Sequence, residues 1–311
     1  MKYCFGVDIG GTTVKMGLFS SEGEIFEKWE IKTRTENEGK EVLPDIAASV
    51  RAKMKEKNLS TEELAGVGIG VPAPVSEDGV VKNSANIGWG YKNVKQEMEE
   101  LLPGVHAKIG NDANVAALGE MWLGAGKGCT NMIMVTLGTG VGGGVICGGQ
   151  IISGANGAGG EIGHICVDYQ EKETCGCGKK GCLEQYASAT GIARLARKKL
   201  AGDERDTVLR NNKDVSAKTV FDAVKQGDRI AVEIAEEFGA YLGHALANIA
   251  VITDPERIVI GGGVSKAGSV LLPFIEKPFQ EKAFFANKNT EIVLATLGND
   301  AGICGAAKLI L

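Results

Sequence analysis

The sequence predicts an α/β fold, and three observations carry that prediction. Short apolar segments ending at glycines alternate with stretches of helical hydrophobic period along the whole chain. A strand, glycine turn and returning strand at Val7-Asp-Ile-Gly10 recur at Val135-Thr-Leu-Gly138, 128 positions later, as in a duplicated half. Glycine makes up 45 of the 311 residues, about 14% against an average near 7%, and the glycines cluster. Clustered glycines mark backbone that turns tightly or approaches a ligand.

The elements follow in order. Tyr3–Val7 is an apolar strand broken by Asp8-Ile-Gly-Gly-Thr12, and Val14–Phe19 returns. Glu41–Lys57 has helical period, with Pro44 tolerated in the first turn. Gly66–Val71 is a buried strand ended by Pro72-Ala-Pro74, Lys108–Gly110 is a short strand, and Asn111-Asp112 opens a helix to about Trp122. Asn131–Leu137 is a strand, Gly138–Gly144 a glycine turn and Val145–Cys147 the return. Helices are expected at Gln185–Leu200, Ala217–Lys225 and Asp228–Ile252. Arg257–Ile260 is a buried strand closed by Gly261-Gly-Gly263 and a helix, Glu291–Ala295 the last strand and Asp300–Leu311 a closing helix. The length suits about two domains.

Composition excludes several functions. Hydrophobic residues at 44% and charged residues at 23% are globular values, which rules out disorder and collagen. A net charge of −5 and a pI near 5.5 argue against a nucleic-acid partner. No apolar run reaches the ~18 residues of a membrane span, so no membrane partner is expected. The first residues lack the apolar core of a signal peptide. Eight cysteines are too few for a disulfide scaffold, and a cytoplasmic location is expected. Cys4, Cys129, Cys147, Cys166 and Cys304 read as ordinary buried thiols.

Chemistry concentrates in a few segments. The glycines of Asp8-Ile-Gly10-Gly11-Thr12 expose backbone N–H groups suited to phosphate oxygens, with Lys15 close by. Asp8 can hold Mg²⁺, usually through water. Gly138-Thr139-Gly140-Val-Gly-Gly143 matches a dinucleotide pattern, but the following residues are too rich in glycine for the required helix, so a nicotinamide site is rejected. With Gly261, Gly262 and Gly263 there are three glycine turns, which suit a nucleoside triphosphate gripped separately at base and phosphates.

Cys175-Gly-Cys177-Gly-Lys-Lys-Gly-Cys182, with His164 eleven residues upstream, is a tetrahedral zinc set. Such a closed set is structural; redox use is the alternative. Glu161 and Glu184 flank these ligands as paired carboxylates, for vicinal hydroxyls of a sugar or for glycosidase acid–base work. The glycine hairpins lie elsewhere in the sequence, so disturbing the cysteine loop is expected to weaken sugar binding before nucleotide binding. Asp112 is either a helix N-cap or a general base at a strand end.

These motifs, with Ser84-Ala-Asn-Ile-Gly-Trp89, Asn111-Asp-Ala-Asn114 and Gly160-Glu-Ile-Gly-His164, resemble the ROK family of sugar kinases and repressors, most closely its bacterial glucokinases. The resemblance runs from Asp8 to Gly302. It implies an actin-like, ribonuclease H-like ATPase fold of two domains with a cleft between them. The smaller domain would be residues 1–111 completed by 299–311, and the larger would be 112–298. It implies Asp112 as catalytic base, and Asn86, Asn111, Glu161, His164 and Glu184 as sugar contacts. His164, Cys175, Cys177 and Cys182 would bind zinc. Gly10, Gly11, Gly138, Gly140 and Gly261–Gly263 would bind the nucleotide.

The expected reaction is phosphoryl transfer from MgATP to the 6-hydroxyl of glucose, with domain closure excluding water. Thr12 or Thr139 would help to stabilise the transferring group. An N-acetylglucosamine or N-acetylmannosamine kinase is the alternative substrate reading. A repressor would need a DNA-binding segment before the first strand, and an actin-like non-sugar ATPase would not need the cysteine loop. A homo-oligomer, dimer or tetramer, is expected.

Overall fold

The computed structural model describes residues 2–311 and divides into two compact units. One comprises the chain through Gly128, Gln150–Gly160 and Thr296–Leu311; the other comprises Cys129–Gly149 and Glu161–Ala295.

The first unit is built on strands β1 (Tyr3–Ile9), β2 (Thr13–Ser20), β3 (Ile25–Lys32), β4 (Leu64–Val71) and β5 (Ala107–Asn111) in the order β3-β2-β1-β4-β5. The hairpin strands are antiparallel, whereas β4 and β5 run parallel to β1. The period-two alternation of β1 sorts its side chains between two cores. Phe5, Val7 and Ile9 face helices α1 (Val42–Glu56) and α2 (Val94–Leu101). Cys4 faces the other way, into a cluster with Ile303, Cys304 and Ala307. On that second face helix α3 (Asp112–Leu123) and the final helix, Ala301–Ile310, pack backbone to backbone. A Cβ on Gly305 would stand 1.6 Å from the Val115 carbonyl oxygen, and one on Gly6 2.0 Å from that of Ile303.

The second unit repeats the plan. Strands β6 (Met132–Leu137), β7 (Val141–Cys147), β8 (Arg257–Gly261) and β9 (Glu291–Leu294) lie in the order β7-β6-β8-β9, again an antiparallel hairpin followed by parallel strands. The duplication read from the thin sequence repeat is therefore present in the topology. Helices α4 (Glu184–Ala187), α5 (Ala189–Gly202), α6 (Ala217–Lys225), α7 (Arg229–Thr253) and α8 (Leu272–Lys282) supply the core, with Phe221, Phe238 and Phe279 buried. The final helix, α9, is Ala301–Ile310 of the first unit.

Several expectations need correction. Helix α3 belongs to the first unit, not to the larger domain beginning at 112, because its Gly119 and Gly305 of α9 let the two helices interlock. The glycine turn is Gly138–Gly140 alone. Gly142–Gly144 pair across the ladder with Thr136, Val135 and Met134, so backbone hydrogen bonding overrides their poor strand preference. The helix expected from Gln185 is broken at Ser188, whose hydroxyl caps α5 by accepting from Gly191 N–H. Two 3-10 turns precede α8 after Gly261–Gly263. Strand β3 lies outside the elements expected above, because its exposed face carries lysines and glutamates. Cys129, Cys147 and Cys166 are half-buried rather than buried.

Candidate active site

In the first unit, β1 and β2 are joined by Gly10-Gly11-Thr12, of which Gly11 and Thr12 are exposed. The loop is closed by Gly10 N–H donating to Thr13 O at 3.0 Å and held from outside by the Thr33 hydroxyl donating to Gly10 O at 2.7 Å. Asp8 shares the β1 face of Cys4 and Gly6, so its carboxylate meets the start of α9; a Cβ on Gly302 would lie 2.5 Å from its Cγ. Burial pushes the Asp8 carboxyl up, and Lys15, its partner across the hairpin, pulls it down. Lys15 Nζ also reaches Asn299 O at 3.4 Å. A desolvated carboxylate beside the exposed residues Gly11 and Thr12 fits a magnesium–phosphate group. Asn86 is exposed on the Ser84–Trp89 loop, and its carbonyl oxygen would lie 3.5 Å from a Cβ on Gly11.

The N-cap of α3 is Asn111, not Asp112. Asn111 Oδ1 accepts from Ala113 N–H at 3.0 Å and Asn114 N–H at 3.1 Å, while its Nδ2 donates to Ala73 O at 3.2 Å. The side chain predicted to touch sugar is thus largely occupied in holding the helix start. Asp112 is the first helical residue, where negative charge is well placed. Buried Asn114 ties α3 to Gly159 O at 3.3 Å.

In the second unit the turn Gly138–Gly140 is bolted to α5. Ala189 N–H donates to Gly138 O at 2.8 Å and the Thr190 hydroxyl to Thr139 O at 2.8 Å. Gly262, at φ +83°, approaches so closely that a Cβ would lie 2.5 Å from Leu137 N. Only glycine meets both demands. The two glycine turns border a cavity of about 590 Å³, lined by Thr139, Thr190, Arg197, Ser216, Lys218, Phe221, Gly263 and Lys266 among others. Its size suits a nucleoside. The α5 and α6 residues of this wall were missed by sequence reasoning; apart from the Ser216 cap, their pattern is that of any amphipathic helix.

The cysteine loop converges as its spacing predicts. Ligand atoms of His164, Cys175, Cys177 and Cys182 all lie within 4.8 Å of one another. Cys177 Sγ is 3.6 Å from Cys182 Sγ, and His164 Nδ1 is 3.9 Å from Cys175 Sγ. The edge of a tetrahedron with zinc–sulfur bonds of about 2.3 Å is about 3.8 Å. Burial and then its neighbouring thiols Cys177 and Cys175 push Cys182 up to about 12; the Lys179 backbone N–H, foremost, holds the Cys177 thiol low. Three crowded sulfurs with a ring nitrogen fit a divalent zinc ion that takes them as thiolates.

Glu161 is exposed, and its carbonyl accepts from His164 N–H at 3.1 Å. Glu184 joins the loop to the glycine turn. Its Oε2 accepts from Val141 N–H at 3.1 Å, and its Oε1 lies 3.6 Å from Cys175 Sγ. Cysteine loop and glycine hairpin are therefore neighbours, although about forty residues separate them in sequence. Distance in sequence is therefore no ground for expecting sugar binding to weaken before nucleotide binding.

Paired sheets of this topology, each offering a glycine hairpin, define an actin-like ATPase fold. The chain belongs to the ROK family, whose model matches residues 4–311. It is 43% identical to a glucokinase of Halalkalibacterium halodurans, over 99% of this chain and 95% of that one. Among solved structures, a ROK hexokinase of Thermus thermophilus superposes with a TM-score of 0.83 at 29% identity, covering 99% of this chain and 97% of that one. A ROK glucokinase of Streptomyces griseus, in complex with glucose and AMPPNP, does so with a TM-score of 0.76 at 34% identity, covering 99% and 98%. No described helix is long and apolar enough to cross a membrane.

Proposed function

We propose that the protein is a glucokinase, transferring the terminal phosphoryl group of MgATP to the 6-hydroxyl of glucose in the cytoplasm. The observation that carries this reading is Glu184. One carboxylate lies against the zinc-type knuckle and accepts from Val141 N–H, the first residue after the glycine turn that borders the nucleoside-sized cavity. The likeness to glucokinases over the full chain supports it.

In this mechanism Glu161, His164 and Glu184 bind ring hydroxyls, with Asn86 a further contact. Carboxylates accept strongly from hydroxyl donors. Asp112 takes the proton of the attacking hydroxyl and orients its oxygen. Asn111 positions Asp112 through the helix cap and has one amide N–H left for sugar. Gly11, Thr12, Thr139 and Gly140 offer N–H and hydroxyl donors to phosphate oxygens, Gly10 and Gly138 close the two turns with their own N–H groups, and Lys15 adds positive charge. Gly261–Gly263 and the α5–α6 wall hold the nucleoside. Asp8 would hold Mg²⁺, which supplies charge neutralisation on the phosphates. His164, Cys175, Cys177 and Cys182 would hold zinc, which stiffens the loop carrying Glu184 and leaves the other nitrogen of His164 for a hydroxyl. The active assembly is a homo-oligomer.

Sugar identity is tested by kcat/KM on glucose, N-acetylglucosamine, N-acetylmannosamine, mannose and fructose at one MgATP concentration. An acetamido group adds a carbonyl and a methyl that a site built for hydroxyls must accommodate. Glucose is expected to lead by about tenfold or more, near 1.4 kcal/mol. An N-acetyl sugar that equals or beats glucose refutes the glucokinase reading, leaving a hexosamine kinase of the same family.

A further inference from the structure

The cysteine loop and Glu184 rest on a side-chain network that the proposed chemistry leaves unused. Tyr186, in the same short helix as Glu184, is 4% exposed. Its hydroxyl lies 2.7 Å from Asp168 Oδ2 and 2.7 Å from Glu171 Oε2. A phenol has one proton to donate, so this single hydroxyl bridges two carboxylates. Arg194 of α5 pairs with Glu171, reaches Glu173 at 3.1 Å and donates to Gln185 O at 3.1 Å. Its guanidinium also lies 5.3 Å from the centre of the Tyr186 ring. Tyr241 of α7 stacks on that ring with centroids 4.0 Å apart.

Gln185 carries the network into the loop itself. Its Oε1 accepts from Cys182 N–H at 3.1 Å, and its Nε2 donates to Glu173 O at 3.0 Å. The network thus gathers the segment leading into Cys175, the segment Cys182–Glu184 and the helices behind them. The loop needs such outside support. Gly176 and Gly178 have open space where side chains would be, so the loop packs no core of its own at these positions.

We propose that Tyr186, Glu171 and Arg194 form a latch that holds Cys182 and Glu184 in register for metal and sugar. These are positioning residues; they touch neither ligand. Against burial, which would raise it, hydrogen bonds from Tyr186 and Arg194 hold Glu171 well below the usual carboxylate range. Polar bonds in a largely buried network of this kind are strong and mutually dependent. Removing the Tyr186 hydroxyl leaves two carboxylates facing each other without their shared donor.

The inference rests on the zinc and sugar roles proposed above, and its test separates the three. Zinc release to an excess of the chelating dye 4-(2-pyridylazo)resorcinol is followed in the full-length protein, below its unfolding temperature. Tyr186→Phe and Arg194→Lys, which keeps the charge but not the fork, are expected to release zinc about tenfold faster or more, the scale of losses for partners outside the ligand shell. KM for glucose is expected to rise about threefold or more, with a smaller fall in kcat. Release rates within about twofold of the parent in both variants overturn the latch, even if the melting temperature drops, because support of the fold alone would do that. A parent protein without zinc refutes the metal reading instead, and the latch is then decided by KM for glucose. A parent that does not phosphorylate glucose refutes the sugar reading, and zinc release decides.

Discussion

Replacing Gly140 by alanine should cut kcat/KM by about one to two orders of magnitude while leaving the protein folded. The new Cβ would stand 2.1 Å from Glu184 Oε2 and 3.1 Å from its Cδ. Ordinary contact between such atoms is nearer ~3.3 Å, so the carboxylate must retreat by about 1 Å. It is the far end of a flexible side chain, and it can swing without moving backbone. The fold therefore loses little, and the alanine restricts the unfolded chain, a compensation of about 0.4–1 kcal/mol. The retreat breaks the bond from Val141 N–H, which is 3.1 Å long and charge-assisted.

Such a bond contributes about 1.5–3 kcal/mol. If the loss falls wholly on the transition-state complex, kcat/KM for glucose drops by about 10- to 100-fold. The assay couples glucose 6-phosphate formation to NADPH through glucose-6-phosphate dehydrogenase, with melting temperature measured in parallel. The same substitution in a Glu184→Ala background should cost little more, since both act through one carboxylate. Activity within about threefold of the parent, at unchanged stability, would refute the assignment of Glu184 as the joint between loop and hairpin.

Asp112→Asn should still bind glucose but lose about 10²–10⁴-fold in kcat, because the amide cannot take the proton; more than about a tenth of parental turnover would count against the base. The purified protein should contain one zinc per chain by elemental analysis, and Cys177→Ser should lose it and raise the KM of glucose and MgATP together, since Glu184 meets the hairpin. Zinc-free yet fully active protein would sink that prediction. Glu120→Gln tests a buried carboxylate that accepts from Ala125 N–H at 2.8 Å, Leu297 N–H at 2.8 Å and Thr296 N–H at 3.1 Å. The amide turns a donor toward these donors, at a cost of about 2–4 kcal/mol, which calorimetry should show as a fall of about 5–15 °C in the melting of the first unit. A shift under about 2 °C would show that the segment before α9 is held by other contacts.

The sequence by itself determined the α/β class, the duplicated hairpin and the convergence of His164, Cys175, Cys177 and Cys182. These are local matters. Strand period, glycine spacing and ligand spacing act over a few residues, and a short glycine-rich loop has few ways to bring its sulfurs together. The ranges of α1, α6 and α7 were legible to within a residue or so for the same reason, since each carries a helical stripe and α6 and α7 open on a readable cap, Ser216 and Asp228. The returning strand β7 was only half legible, because its glycines have no side chains to show the alternation and only their partners on β6 make them a strand.

Tertiary structure decided the rest. The capping of α3 by Asn111 rather than Asp112 depends on backbone direction, which either residue type would permit. The contact of Glu184 with Val141 depends on how α4 lies against β7, and residues so far apart in the chain carry no mark of meeting. The placing of α3 with the first unit comes from glycines that let α9 approach to backbone contact. The cavity wall of α5 and α6, and the bridge of Tyr186 between Asp168 and Glu171, arise only when separate segments pack together. A hydrogen bond across packed elements is set by the shape of the whole core, and a sequence records its partners without their distance.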